Sequence, residues 1–198
     1  MPNAKIGKLR LFGVIGDEID DLTAGLVDDK LGQLADADEI EVRLNSPGGI
    51  VYEGIAIYNI LQSLDKPITV IVEGMALSVA SLIAMAGDRI VMRAKSLMMI
   101  NQPWNVTRGN AETHRQRANG LDFQARAARD IYATRTGQPP GTVWRWMDAE
   151  TWFEPEDAVA AGLATDIQGE APDKALAGVS LAHLQLTEPA TPAKRGAG

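Results

Sequence analysis

The sequence segments that decide the fold are VRLNSPGG at residues 42–49 and GMALSVASLIAMAG at residues 74–87. In the first segment, a short run of β-formers ends in a cluster of turn residues with paired glycines, which let backbone N–H groups approach a ligand closely. In the second, Gly74 is expected to end an apolar strand over 68–72, and a helix of small apolar residues is expected over 78–86. The sequence therefore predicts two strand-to-loop junctions, and the second places Ser78 at the entrance of a helix.

Strands and helices alternate on either side of these junctions. Further strands are predicted over 6–15, 39–44, 89–92 and 96–100, and further helices over 18–34, 52–64, 142–147 and 155–161. Strands that alternate with helices are typical of an α/β fold with right-handed crossovers. A long segment over 110–136, rich in Arg and Ala and polar on most faces, predicts an exposed helix.

The chain is expected to form one domain followed by a tail. Its 198 residues fit a single domain that is large enough to bury a core. Beyond Gly169 the sequence becomes rich in Ala, Pro and Thr, which is typical of a flexible tail. We therefore expect a domain over 1–169 and a tail over 170–198.

Composition and charge exclude several classes of function. The net charge of −7 argues against a nucleic-acid-binding surface, and the absence of cysteine excludes disulfides, thiolate metal sites and cysteine nucleophiles. The longest apolar run, over 74–87, is about half the length of a membrane span, and residues 1–12 lack the apolar stretch of a signal peptide. No metal or phosphate motif is present, so we expect no cofactor, no membrane partner and a cytoplasmic location.

The position of Ser78 has a chemical use. The N–H groups in the first turn of a helix are unpaired and carry partial positive charge. If Ser78 attacked a carbonyl group, the oxyanion would be stabilised by the Val79 N–H and by an N–H of Gly48 or Gly49. The pattern alone leaves two other interpretations open: Ser78 caps the helix, and the glycines only form a tight turn.

Taken together, these segments resemble the Clp protease proteolytic subunit and its phage-encoded relatives, the head-maturation proteases. The similarity continues through LMMINQP at 97–103 and ETWF at 150–153 to Gly162 and Leu163, and it spans roughly residues 6–168. Several motifs agree in order and spacing, which makes the match specific. The resemblance implies a wound βαβ superhelix shared with the crotonases, and a projecting handle helix for ring assembly over 110–136.

The resemblance also assigns site residues. It implies that Ser78 is the nucleophile, and that Gly49 and Val79 form the oxyanion hole. It further implies that the backbone beside Gly48, Ile50 and Val51 pairs with an extended polypeptide substrate by β-augmentation.

The sequence departs from the family at the catalytic histidine. The family has Met-Ile-His-Gln-Pro where this chain has Asn101, and a neutral amide cannot take a proton from a serine hydroxyl. His114 and His183 are expected to be surface residues rather than substitutes. Lys95 could in principle form a Ser–Lys dyad, but the strand order gives no reason for it to reach Ser78. Spacing places the acidic member of the triad at Glu150, with Asp148 as the alternative. Asn101 is either an engineered substitution or a natural loss that leaves a binding or assembly protein.

The expected function is a serine endopeptidase, phage-encoded and concerned with head maturation, that acts on polypeptides and is impaired by Asn101. The alternatives are a non-catalytic pseudoprotease or assembly subunit, and a crotonase-type acyl-CoA enzyme. A homo-oligomer is expected through the handle helix, since apolar residues there would otherwise stay in water: Ala111, Ala118, Leu121, Ala125, Ala128, Ile131 and Tyr132.

Other partners are expected from the two ends of the sequence. The first strand is expected to begin within about six residues of the start, which leaves little room for loops that engage an ATPase unfoldase, so none is expected. The tail beyond Gly169 is expected to be trimmed or to join capsid or scaffold proteins in the cytoplasm of a bacterial host.

Overall fold

The computed structural model describes residues 4–16, 18 and 21–169. Within them the elements are, in chain order, β1 (Ile6–Phe12), α1 (Ala24–Gly32), β2 (Glu39–Ser46), α2 (Val51–Gln62), β3 (Ile68–Leu77), α3 (Val79–Ala84), β4 (Arg89–Arg93), β5 (Leu97–Ile100), α4 (Ala111–Thr136), α5 (Pro140–Asp148), β6 (Thr151–Phe153), α6 (Pro155–Ala161) and β7 (Asp166–Gln168). The tail expected over 170–198, which includes His183, lies outside the described residues. No helix in the described part of the chain has the length and apolar character needed to cross a membrane.

The strands form one mixed seven-stranded sheet. β1, β2, β3, β4 and β7 lie side by side and parallel, β5 pairs in parallel with the second half of β3, and β6 pairs antiparallel with β5. Every second residue of β1 and β2 is buried, so one face of the sheet packs into the core. The α/β fold expected from the alternation of strands and helices is confirmed.

The prediction that Gly74 ends the central strand is wrong. β3 pairs with β4 as far as Val72 and with β5 from Met75, so its backbone gains new partners and the strand continues to Leu77. Gly74 is needed for a close approach instead. A Cβ there would lie 2.8 Å from Asn45 Oδ1, the atom that accepts a hydrogen bond from the Met75 N–H at 3.1 Å.

An ionic cluster lies where β3 changes partner. Glu73 accepts hydrogen bonds from Arg43 Nε on β2, at 2.7 Å, and from Arg93 Nε on β4, at 3.2 Å. Burial by itself raises the pKa of Glu73, but the hydrogen bonds and charges of the two arginines outweigh it and hold this pKa below its usual range. The cluster therefore joins three neighbouring strands at the point where the sheet divides.

The remaining differences from the sequence predictions are at element ends and in very short strands. α1 begins at Ala24 rather than near residue 18, because Thr23 caps it and accepts a hydrogen bond from the Leu26 N–H at 3.1 Å. β6 and β7 were not predicted, since their three residues each are too few to show a strand period.

The long helix α4 is confirmed, but one face of its second half is buried. Asn110 caps its start and Gly137, in the left-handed conformation, ends it. Ala125, Ala128 and Tyr132 are buried against the core of this chain, where α4 contacts α3 and α5. These three residues therefore cannot belong to a self-association surface, and the expectation that they do is wrong.

Candidate active site

Ser78 joins β3 to α3 in an unusual backbone conformation. Its φ is 52° and its ψ is −129°, a region that residues with a side chain rarely adopt. Its side chain forms no capping hydrogen bond with the first turn of α3, so the interpretation of Ser78 as a helix cap does not hold. A strained serine at a sharp turn from strand to helix has the geometry of a nucleophile elbow.

Gly48 lies directly against Ser78. A Cβ at Gly48 would lie 2.9 Å from Ser78 Cβ and 2.6 Å from the Leu77 carbonyl oxygen, so only glycine allows this approach. The Gly48 N–H donates to Ser46 Oγ at 3.1 Å and is therefore occupied. Within the part of the chain that the structure describes, neither the Gly49 N–H nor the Val79 N–H has a protein acceptor. Of the two glycines that the sequence left open as an oxyanion donor, Gly49 is the one with a free N–H.

One edge of the segment 48–50 is already paired within the chain. The Ile15 N–H donates to the Gly48 carbonyl at 2.9 Å, and the Ile50 N–H donates to the Ile15 carbonyl at 2.7 Å. Backbone groups of successive residues in an extended segment point to opposite sides. Gly49 is therefore the residue that faces away from Ile15, while Val51 already belongs to α2 and its side chain lines the adjacent pocket.

Ser78 and Asn101 meet in one small pocket that opens to solvent. The other lining residues are apolar apart from one tyrosine: Val51, Val79, Leu82, Pro103, Ala128 and Tyr132. Tyr132 is the one ionisable side chain among those that line the pocket, and burial raises the pKa of its hydroxyl. None of the lining residues is therefore a base near neutral pH.

The other candidate bases lie elsewhere. Lys95 is exposed in the turn before β5, whereas Ser78 meets the opposite end of that strand through a hydrogen bond from its N–H to the Met99 carbonyl. His114 is exposed in the first part of α4. Neither lines the pocket.

Two carboxylates, Asp148 and Glu150, lie just before β6, the strand that pairs with β5 next to Asn101. The last β5–β6 pair joins Ile100 to Thr151, so Asn101 and Glu150 are the next residues beyond the paired ends of the two strands. Glu150 is exposed and has a positive φ of 48°. Asp148 Oδ1 accepts a hydrogen bond from Gln102 Nε2 at 2.9 Å, so the alternative acidic residue already has a partner.

Sequence reasoning missed two residues beneath Ser78, namely Ser81 and Tyr132. Ser81 Oγ lies 2.6 Å from the Ser78 carbonyl oxygen and 2.8 Å from Tyr132 Oη. The spacing of Ala125, Ala128 and Tyr132 is the helical spacing of a buried face, and it was the signal that could have identified the tyrosine.

Comparison with known proteins matches this chain to a family. The family model described as Clp protease matches residues 10–171. An ATP-dependent Clp protease proteolytic subunit of Bacteroides fragilis is 30% identical over 158 residues, which cover 77% of this chain and 76% of that protein. The ATP-dependent Clp protease proteolytic subunit 3 of Streptomyces coelicolor is 30% identical over 160 residues, with 78% and 73% covered.

The strain at Ser78 predicts different free energies of unfolding for two small substitutions. Ser78→Gly should be more stable than Ser78→Ala by about 1 kcal/mol, because glycine removes a conformational strain of about 1–3 kcal/mol at the cost of some backbone entropy. Alanine removes the hydroxyl and keeps the strain. The measurement is denaturant unfolding of both variants, and an alanine variant as stable as the glycine variant would show that the elbow is relaxed.

Proposed function

The chain belongs to the Clp protease family, and on this premise we propose that Ser78 is the nucleophile of a serine endopeptidase site whose turnover is strongly impaired by Asn101. Membership makes the chain a peptidase by family, with the crotonase-like fold of that family. The observation that carries the finer proposal is the pocket shared by Ser78 and Asn101, in which no lining side chain is a base at neutral pH.

The proposed reaction begins with attack of Ser78 Oγ on a peptide carbonyl. The attack needs a base with a pKa near neutrality to take the hydroxyl proton, and this is the task of histidine in a serine peptidase. The Asn101 amide forms hydrogen bonds but does not take the proton. The free N–H groups of Gly49 and Val79 would stabilise the oxyanion. The site is therefore expected to bind a polypeptide and to stop at the proton transfer.

The proposed substrate is a polypeptide in extended conformation. Gly49 supplies the backbone groups that face away from Ile15, so a substrate strand would pair there by β-augmentation. Ile50 contributes its position in the edge rather than its N–H, which the Ile15 carbonyl occupies. The pocket beside Val51 would receive a substrate side chain next to the scissile bond.

Glu150 is the proposed acidic member of the triad. The β5–β6 register supports it, since Thr151 pairs with Ile100 and the residues next to this pair are Glu150 and Asn101. A histidine introduced at that position would need a carboxylate to orient it and to stabilise its charged form. Asp148 instead holds Gln102, and we propose a structural role for it.

A non-catalytic binding or assembly subunit is the second candidate function, and Asn101 itself favours it. Such a protein would keep the peptide edge and the elbow and would lack only turnover. The crotonase-type acyl-CoA enzyme has no observation in its favour, since the relatives reported above are proteolytic subunits.

The biological setting is also part of the proposal. A role in phage head maturation, with capsid or scaffold proteins as partners in the host cytoplasm, stays a prediction from the resemblance. A domain over 1–169 is supported by the family match to residues 10–171.

The proposed homo-oligomer would form through the first half of α4. Phe123 is 69% exposed there, and Ala111 and Ala118 are exposed as well. An isolated helix with such residues leaves apolar area in water, which a second copy would cover.

Replacing the missing base should restore turnover. Asn101→His is expected to raise the hydrolysis of a fluorogenic peptide by several orders of magnitude, up to about a millionfold, because serine and histidine act as a unit. Adding Ser78→Ala should abolish the gain. The measurement compares the parent, the single variant and the double variant side by side.

A matched control is Asn105→His, which introduces an imidazole at an exposed position in the same loop, outside the pocket. This variant should stay as inert as the parent. If Asn101→His is also inert while it remains folded and oligomeric, the triad assignment fails and the binding function takes its place.

Once a base is present at position 101, substitutions of the two carboxylates should have different effects on kcat. In the Asn101→His background, Glu150→Gln is expected to lower kcat by about a hundredfold or more, because an imidazole without its carboxylate is poorly oriented. Asp148→Asn keeps an oxygen acceptor for Gln102 and should change kcat by less than about threefold. A reversed order of the two effects would assign the acidic role to Asp148.

Self-association should depend on the exposed part of α4. Phe123→Glu is expected to shift the protein toward the 21.2 kDa monomer in light scattering at micromolar concentration. Val159→Glu replaces an exposed apolar residue on α6 and should leave the oligomer intact. A parent chain that is monomeric throughout this range would contradict the proposed assembly.

A further inference from the structure

We propose that the hydroxyl groups of Ser81 and Tyr132 form a hydrogen-bond chain that positions Ser78 relative to residue 101. Both are thus positioning residues of the site, because their hydroxyl groups contact the backbone of the proposed nucleophile. The inference rests on the proposed role of Ser78 and adds the residues that hold it in place.

The contacts of Ser81 carry the first step. Its Oγ lies 2.6 Å from the Ser78 carbonyl oxygen and 2.9 Å from the Met99 carbonyl oxygen. Met99 also accepts the Ser78 N–H at 2.9 Å, and it lies on β5 just before Asn101. One buried hydroxyl therefore contacts both the residue that carries the nucleophile and the strand that leads to the position of the base.

Tyr132 determines which group donates and which accepts in the hydrogen-bond chain. Ser81 has a single hydroxyl proton, which it donates to one of the two carbonyl oxygens, so its own oxygen is left to accept. Tyr132 Oη lies 2.8 Å away and donates to it. Burial raises the pKa of the Tyr132 hydroxyl, so this group stays protonated across the working pH range and remains a donor.

The hydrogen-bond chain of Ser81 and Tyr132 acts on a residue whose backbone is strained. A residue held at a φ of 52° keeps this conformation only where the surrounding structure enforces it. The Ser81 N–H also donates to the Ser78 carbonyl, at 3.0 Å, so this carbonyl is bonded to the first turn of α3. The Tyr132 hydroxyl reaches the same carbonyl oxygen at 3.5 Å from α4. Three elements, α3, α4 and β5, thereby converge on the backbone of one residue.

A simpler interpretation is that these hydroxyl groups only satisfy one another in the core. The two interpretations differ for a double variant. Ser81→Ala leaves the Tyr132 hydroxyl buried with only its long contact to Ser78, which destabilises the fold, and adding Tyr132→Phe removes that unsatisfied group. Stability should therefore recover in the double variant under both interpretations. The kcat should stay low only if the hydroxyl groups position Ser78.

The chain offers a matched control in Ser96. Ser96 is also buried, and both its N–H and its Oγ bond the carbonyl of Arg93, three residues earlier, each at 2.9 Å. This pattern repeats the contact of Ser81 with Ser78 at the opposite end of β5. Ser96→Ala thus removes a buried serine hydroxyl of the same geometry away from the pocket.

The experiment measures kcat, KM and the unfolding midpoint in the Asn101→His background for Ser81→Ala, Tyr132→Phe, the double variant and Ser96→Ala. In the double variant we expect the midpoint to return toward that of the background while kcat stays at least about tenfold lower at an unchanged KM, because small displacements of a nucleophile are costly. Ser96→Ala should lower the midpoint and leave kcat within about twofold of the background. The inference is overturned if kcat recovers together with stability in the double variant.

A second measurement keeps the inference testable if Asn101→His proves inert, an outcome that would count against the proposed function alone. In the parent background, amide hydrogen exchange at Ser78 should be at least about tenfold faster in Ser81→Ala and in the double variant, and unchanged in Ser96→Ala. Equal protection of this amide in all the variants would show that the hydroxyl chain does not hold Ser78.

Discussion

The hydrogen bond from the Ser78 N–H to the Met99 carbonyl is the contact on which the rest of the site depends. β3 leaves β4 after Val72 and would expose unpaired backbone groups there, but β5 pairs with it from Met75. The Ser78 bond completes this pairing where the chain turns into α3. Because β5 continues directly to Asn101, one stretch of backbone pairing sets the positions of both the proposed nucleophile and the residue that stands in the proposed position of the base.

The Gly49 N–H is free while the backbone groups of the residues on either side of it are hydrogen-bonded. Ser46 takes the Gly48 N–H, and Ile15 bonds the Gly48 carbonyl and the Ile50 N–H. Gly49 is left between them with its own groups unused in the described structure, next to the unpaired first turn of α3. Two N–H groups from different elements can therefore serve one oxyanion, since the close contact of Gly48 with Ser78 brings the two loops together.

Local patterns in the sequence predicted the alternation of strands and helices, the long helix α4 and the turn at Ser78, because each depends on neighbouring residues. They failed where a distant partner decides. β3 passes Gly74 only because β5 is available to pair with it, and Tyr132 is buried only because α3 lies against α4. At the site, the sequence named Ser78, Gly49, Val79 and Asn101, whose assignments rest on motifs. The carboxylate was harder, because its position relative to Asn101 depends on the β5–β6 register, which three-residue strands do not reveal.

The elbow and the base are physically independent parts of this site. The backbone of Ser78 bonds the Met99 carbonyl and contacts Ser81, and none of these contacts involves the side chain at position 101. The free N–H groups of Gly49 and Val79 likewise belong to the backbone and exist whatever residue stands there. Under the proposed function, an asparagine in place of histidine would therefore remove the proton acceptor and leave the backbone geometry of the site undisturbed. In the site proposed here, the main chain would supply the groups that bind a peptide and the residue at position 101 would supply the base. A single side chain would then decide turnover and leave recognition unchanged.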